Sequence, residues 1–281
     1  MIQISFIPKI SHKNFDTLTS TLNSEISKVS QWFTCNKLSL NIAKTNFIRF
    51  KPHSSQAMDP HYNIRINGLP LTELKSTKFL GVTIDSSLSW NDHIHNVHNA
   101  VSRGIGILYR LKDLIAQNSL VILYNALILP FITYCNIVWG NCGTTKINSI
   151  LLLQKRAMRL ITNSRYLSPT DPLFSQLRTL KINDIHTLQT AIFMHKYTFN
   201  QLPKVFDNFF TPNFNIHSYP TRNSSDYHLE NPRTILAQKS LKHHGPDVWN
   251  SLPDNLKKCT KLHLFKQQVK NVFLNQYSSH K

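Results

Sequence analysis

The residues best placed to do chemistry in this chain are cations, not paired carboxylates. Arg103, Arg110 and Lys112 recur along one predicted helix, and Lys155, Arg156 and Arg159 stand beside the leucine-rich stripe of another, Ile150, Leu151, Leu153 and Leu160. Three cations with no acid among them suit a phosphate-facing surface, because every phosphate neutralised releases counterions. The imbalance runs along the whole chain. Across 281 residues, 32 Lys plus Arg face 14 Asp plus Glu, a formal +18 before any of 14 His is counted. A polyanionic partner, nucleic acid, is therefore expected.

Other chemistries find less support. Asp85, Asp92 and Asp113 fall on different predicted elements, and Asp171, Asp184 and Asp247 are isolated, so no acid-base or metal-holding pair emerges. Asp85 reads as a turn or helix-start residue. Cys259 with His263, and the His243–His244 pair, lack the second close ligand pair that zinc requires and read as surface or core. Cys35, Cys135, Cys142 and Cys259 form no C-x-x-C, which fits a reducing compartment. Trp90 and Trp249 have rings able to stack on bases, but core anchoring is preferred. His93, His95 and His98 crowd one helix start as solvated or phosphate-contacting groups. Arg103-Gly-Ile-Gly106 reads as a close-packing feature.

The elements that must position these groups follow from periodicity. Phe15, Leu18, Leu22, Ile26, Val29, Trp32 and Phe33 share one face of a helix over Asn14–Lys37. Lys44–Phe50, Tyr62–Ile66 and Leu69–Leu74 read as strands, with Asn67-Gly68 as a hairpin turn, and Phe79–Ile84 as a third short strand. Helices are predicted over Asp92–Leu111, Ser119–Tyr134, Ile147–Thr162 and Ile182–Phe199, with Gly140–Gly143 as a break. An irregular stretch follows over Leu202–Pro220, and a last helix near Leu262–Leu274. Ser119–Trp139 carries no charge and is long enough to span a bilayer, but Asn125, Pro130, Thr133 and Asn136 favour a buried bundle helix. With 41% apolar residues the chain can bury a core.

Two stretches carry a resemblance: WFTCNKLSLNIAKTNFIRF (Trp32–Phe50) and FLGVTIDSSLSWNDHI (Phe79–Ile94). Together with YNALILPFITYCNIVWGN, LLLQKRAMRLIT and HSYPTR…GPDVWNSLP, they resemble the reverse transcriptase of non-LTR retrotransposons of the jockey and CR1-like LINE type, from about Ser11 onward. The resemblance implies an α+β, mostly α fold: a truncated right-hand polymerase palm of helix and short antiparallel strands over 11–90, a helical thumb over 91–165, and a small C-terminal helical region over 166–281. It places Lys44 as the motif D lysine, a general acid or nucleotide-positioning group whose alternative is a solvent-facing strand lysine. It places Phe79, Leu80, Gly81 and Val82 as the primer grip. The expected partners are an RNA template and a DNA primer or duplex, with no small-molecule substrate and no membrane. Nothing in the sequence specifies an oligomeric state.

The family's catalytic Asp-Asp hairpin should stand near residue 5, where the chain instead begins MIQISFIPKI. One permissible coding of these residues, read one base earlier, yields Asp-Asp-Thr, so residues 1–10 are expected to be an out-of-frame start. Magnesium is then expected only for the intact family enzyme, and the chain alone should not polymerise. The alternatives are a non-catalytic basic RNA- or DNA-binding protein derived from a retroelement, and a membrane-associated protein. The N-terminus lacks a secretory pattern, so an intracellular site, cytoplasmic or nuclear, is expected.

Overall fold

The computed structural model describes residues 15–50, 63–216 and 226–279. Residues 1–10 and the HSYPTR segment from His217 on, both singled out above, lie outside these. The chain divides into two compact units, one up to His93 and one from Ile94.

The first unit opens with α1 (Phe15–Cys35), whose heptad-like apolar spacing folds as expected. It stops at Lys37, held in the left-handed region at φ 54. The Leu38 N–H returns to the Phe33 carbonyl and the Lys37 N–H to Thr34, closing the open carbonyls of the last turn. Ser30 and Phe33 form the buried side. Asn23 then brackets the neighbouring strand, its amide donating to the Asn63 carbonyl at 3.1 Å and its oxygen accepting the Arg65 N–H at 2.9 Å.

Among the described residues six short strands follow: β1 (Asn46–Phe47), β2 (Arg65–Ile66), β3 (Leu69–Pro70), β4 (Thr72–Glu73), β5 (Ser76–Phe79) and β6 (Val82–Asp85). The β2–β3 hairpin turns on Asn67 and Gly68, φ 50 and 81, as their tolerance of positive φ predicts. Three expectations change. Leu69–Leu74 is not one returning strand: it splits at Leu71, and β4 pairs parallel with β1. Lys44 is not on a strand but ends a single 3₁₀ turn, Ile42–Lys44, which the Asn41 side chain caps at the Lys44 N–H. Phe79–Ile84 is not one strand either. Leu80 and Gly81 turn the chain back on itself at φ 45 and 85, pairing Phe79 with Val82.

The second unit is helical: α2 (Asn91–Leu111, which starts in the first unit), α3 (Gln117–Leu127), α4 (Leu129–Thr133), α5 (Asn136–Trp139), α6 (Thr144–Ile161), α7 (Asp171–Gln176), α8 (Ile182–Thr198), α9 (Ile235–Gln238), α10 (Leu241–Asn250), α11 (Asp254–Lys257) and α12 (Leu262–Ser279). The predicted Ser119–Tyr134 helix is broken. Pro130 has no N–H to continue α3, so the chain restarts as α4 and breaks again at Cys135, φ 49. No helix among the described residues is long and apolar enough to cross a membrane.

Helix α8 is the centre of this unit, burying Ile182, Ile185, Leu188, Ala191 and Met194 against α4, α5 and α6 and against α10 and α12. Gln154 of α6 ties three helices together: its amide donates to Tyr124 Oη at 2.9 Å and to the Leu180 carbonyl at 2.8 Å, and its oxygen accepts the Ile182 N–H at 3.0 Å. On the other side, Gly245 of α10 lies against Met194 and Phe210, where a Cβ would come within 2.9 Å of the Met194 sulfur. Trp249 is 3% exposed beside Phe265 and His195, so it anchors the core.

Candidate nucleic-acid interface

In the first unit the hairpin β5–β6 presents its tip outward. Leu80 is 61% exposed and sits in left-handed backbone, a conformation that costs a residue with a Cβ roughly 1 kcal/mol or more. Gly81 needs its positive φ for the turn, so Phe79, Leu80, Gly81 and Val82, the residues expected to form a primer grip, lie together at the tip of this hairpin.

Behind the tip, Asp85 organises the exit from β6. Its Oδ1 accepts the Ser87 hydroxyl at 2.6 Å and the N–H groups of Ser87 and Ser89 at 3.1 and 2.9 Å, and Oδ2 accepts the Trp90 N–H at 2.8 Å. Burial pushes its carboxyl up, but these donors together outweigh it and hold the group below the ordinary carboxylate range. They also fix two strained residues, Leu88 at φ 53 and Trp90 at φ 65, immediately before α2. Asp85 is thus a turn residue, as its sequence context indicates. Trp90 is half-buried, its ring edge-on to His93 at 6.4 Å.

In the second unit, Arg103 and Arg110 are exposed on the outer face of α2, about two turns apart, with His95 and Asn99 on the same stripe. Between the arginines lies Gly106. The two glycines of Arg103-Gly-Ile-Gly106 part company here: a Cβ at Gly104 would meet Ile128 Cγ1 at 2.6 Å, so that glycine is a packing residue, whereas one at Gly106 would meet nothing within 4 Å. A helix-interior glycine costs about 1 kcal/mol relative to alanine, and packing inside this unit does not explain it at Gly106.

The other predicted cations differ in availability. Arg156 is exposed and Lys155 half-buried on α6. Arg159 is half-buried, and its Nε donates to the Ser168 carbonyl at 3.0 Å, bracing the loop after α6. Lys112 lies 3.0 Å from the Asp113 carboxylate, which discounts its charge. Lys44 is exposed at the end of its 3₁₀ turn.

Among the described residues no three of His, Cys, Asp and Glu gather into a group able to hold a metal ion. The Asp85 oxygens are occupied by backbone and hydroxyl donors. One pair escaped the sequence reading: buried His186 of α8 and half-buried His244 of α10 stack with centroids 5.1 Å apart and planes within 7°. His186 Nδ1 lies 3.1 Å from the Asn136 carbonyl oxygen. Burial, then the neighbouring His244, pushes the His186 imidazole down to about 4.

The chain is 24% identical over 169 residues to the RNA-directed DNA polymerase from mobile element jockey of Drosophila funebris, a match covering 59% of this chain and 18% of that relative. The jockey polymerase of Drosophila melanogaster matches at 24% over 178 residues, 61% of this chain and 19% of the relative. This chain is a homologue of the jockey-type RNA-directed DNA polymerases of non-LTR retrotransposons. A probable RNA-directed DNA polymerase from transposon BS of Drosophila melanogaster agrees, at 27% over 138 residues, 47% of this chain and 14% of the relative. The jockey-type match thus spans a small part of each relative, at most 19% of its length among these three. No protein-family model and no solved structure matches this chain.

Proposed function

We propose that this chain is a template–primer-holding part of a jockey-type reverse transcriptase, binding an RNA–DNA or DNA duplex without itself carrying the polymerising carboxylates. The observation that carries the reading is Gly106 on the outer face of α2 between Arg103 and Arg110. A missing side chain between two exposed guanidiniums lets a polyanionic backbone approach the helix while both cations reach its phosphates. Homology to RNA-directed DNA polymerases supplies the class of nucleic acid, and the formal charge of +18 its electrostatic attraction.

In this reading the first unit is a palm remnant, whose Leu80–Gly81 tip rests against the primer strand, and α2 to α6 form a thumb that follows the duplex through its sugar-phosphate backbone. Arg156 and Lys155 add cations from α6. Lys44, exposed at the end of its turn, is left for an incoming nucleotide or its departing pyrophosphate.

A bulky side chain at Gly106 tests this. A Cβ at Gly106 meets nothing within 4 Å, so Gly106→Trp should melt as the parent does while its affinity for a labelled RNA–DNA duplex falls at least tenfold. Unchanged affinity in a folded variant would remove the α2 face from the interface.

A further inference from the structure

The C-terminal helix carries a second concentration of charge that the duplex-holding reading does not use. Helix α12 packs on α7 through Phe174 and Tyr277, ring centroids 6.1 Å apart, and through the Ser175 and Ser278 hydroxyls at 2.9 Å. At the end of this contact Arg178 donates from Nη2 to Asn271 Oδ1 at 3.3 Å. That bond sets its guanidinium beside Lys270, the preceding residue of α12. Lys266 stands one turn earlier on the same helix, at the spacing that brings side chains together.

Among the described residues no carboxylate pairs with these three cations. Helix α12 contains neither Asp nor Glu. The nearby acids are engaged elsewhere, Asp171 with Lys181 Nζ at 2.9 Å and Asp184 with the Tyr277 hydroxyl. Among the described residues neither Arg178, Lys266 nor Lys270 forms an ion pair. Lys270 is half-buried, and burial, then Arg178 and Lys266, pushes its ammonium below the ordinary lysine range. Gathering like charges costs the folded chain free energy, which an anion with several oxygens seated among them would offset. A guanidinium fork with two ammoniums suits phosphate, and the exposed Gln267 amide adds a donor on the same helix.

We propose that Arg178, Lys266 and Lys270 form a phosphate-binding site that grips the backbone of a nucleic-acid strand, independent of the Arg103–Arg110 face. The proposal rests on the reading that this chain holds nucleic acid, and it gives the C-terminal helix a direct part in that hold. The seated group is a backbone phosphodiester, not a free phosphate ion.

The test compares the full chain with Lys266→Gln/Lys270→Gln by fluorescence anisotropy on a labelled RNA–DNA duplex across a salt series. The double variant should bind at least tenfold more weakly at moderate salt and lose about 2 from the slope of log affinity against log salt. Its unliganded melting temperature should match or exceed the parent's, since it removes mutual repulsion, and Lys270→Arg should keep full affinity. Parent-like affinity and slope in the double variant, with Arg103→Gln/Arg110→Gln still weakened, would overturn this site and leave the α2 face standing. A parent chain that binds no duplex at all would overturn both. If millimolar inorganic phosphate raises the parent's melting temperature but not the variant's, while duplex affinity is the same in both, the site takes a small anion and the strand assignment is wrong.

Discussion

Asp85 accepts the Trp90 backbone N–H at 2.8 Å, closing a five-residue exit from β6 into α2 around one carboxylate. The same carboxylate holds Ser87 and Ser89, so two residues in left-handed backbone depend on a single charged acceptor. In Asp85→Asn the amide turned toward Trp90 would oppose a donor with a donor. The substitution should cost about 2 kcal/mol in denaturant unfolding at neutral pH. Because the folded carboxyl sits below its ordinary value of 3.8, its contribution is present above that value and is lost as pH falls through the lower folded one. The difference between parent and variant should therefore shrink in strong acid; a constant difference would mean that charge has no part in the turn.

Acid should act differently on the second unit. His186 is neutral in the fold down to about 4, and burial holds His244 below its ordinary value as well. The unfolded chain takes up protons first, so stability is full above roughly 6.5 and falls as pH drops toward 4, by about 3 kcal/mol for His186 alone. Asp247, 4.0 Å from His244 Nδ1, opposes part of the shift on His244. Replacing His244 with Phe keeps a ring on His186 and removes one titrating group. The melting temperature of this variant should decline less steeply between pH 6.5 and 4.5, and a parallel decline would exclude the stacked pair as the cause.

The two glycines of α2 make opposite predictions for stability. Gly104→Ala would drive a methyl into Ile128 and should destabilise the chain by about 2 kcal/mol. Gly106→Ala meets open space and should stabilise it by up to about 1 kcal/mol. Thermal melting of the two variants reads this directly. A stability loss at Gly106 would show that it packs against something in the chain, and would remove the reason to place a ligand there.

On the proposed reading the chain holds a duplex without itself carrying the carboxylates that clamp the two metal ions of nucleotidyl transfer, and primer extension tests that part of it. With magnesium, nucleotides and an annealed RNA template, primer extension should not exceed a blank preparation. Extension above the blank would place the catalytic acids within this chain.

Much of this arrangement was legible in the residues themselves. Asn67–Gly68 announced its hairpin because both types accept positive φ, and α1 announced itself by apolar spacing. The β5–β6 hairpin was read as one strand because its first turn residue is Leu80, a residue whose type argues against left-handed backbone. Arg159 read as a surface cation because its partner is a main-chain carbonyl, which no residue pattern reveals. The His186–His244 stack and the Arg178–Lys270 neighbourhood join residues distant in sequence, brought together only by the packing of α8 on α10 and of α7 on α12. Gly106 was visible as a glycine, but its role became arguable only once Gly104 alone was seen to be needed for packing.

On the proposed reading Arg103 and Arg110 meet the phosphates of a bound duplex. Salt-titrated binding of a labelled RNA–DNA duplex to the full chain and to Arg103→Gln/Arg110→Gln tests it most directly. Both arginines are exposed and make no ion pair among the described residues, so the variant should melt like the parent. Its affinity should fall at least tenfold near 0.1 M salt, with the log–log salt slope reduced by about 2. Equal affinity and an equal slope in a folded variant would contradict the account.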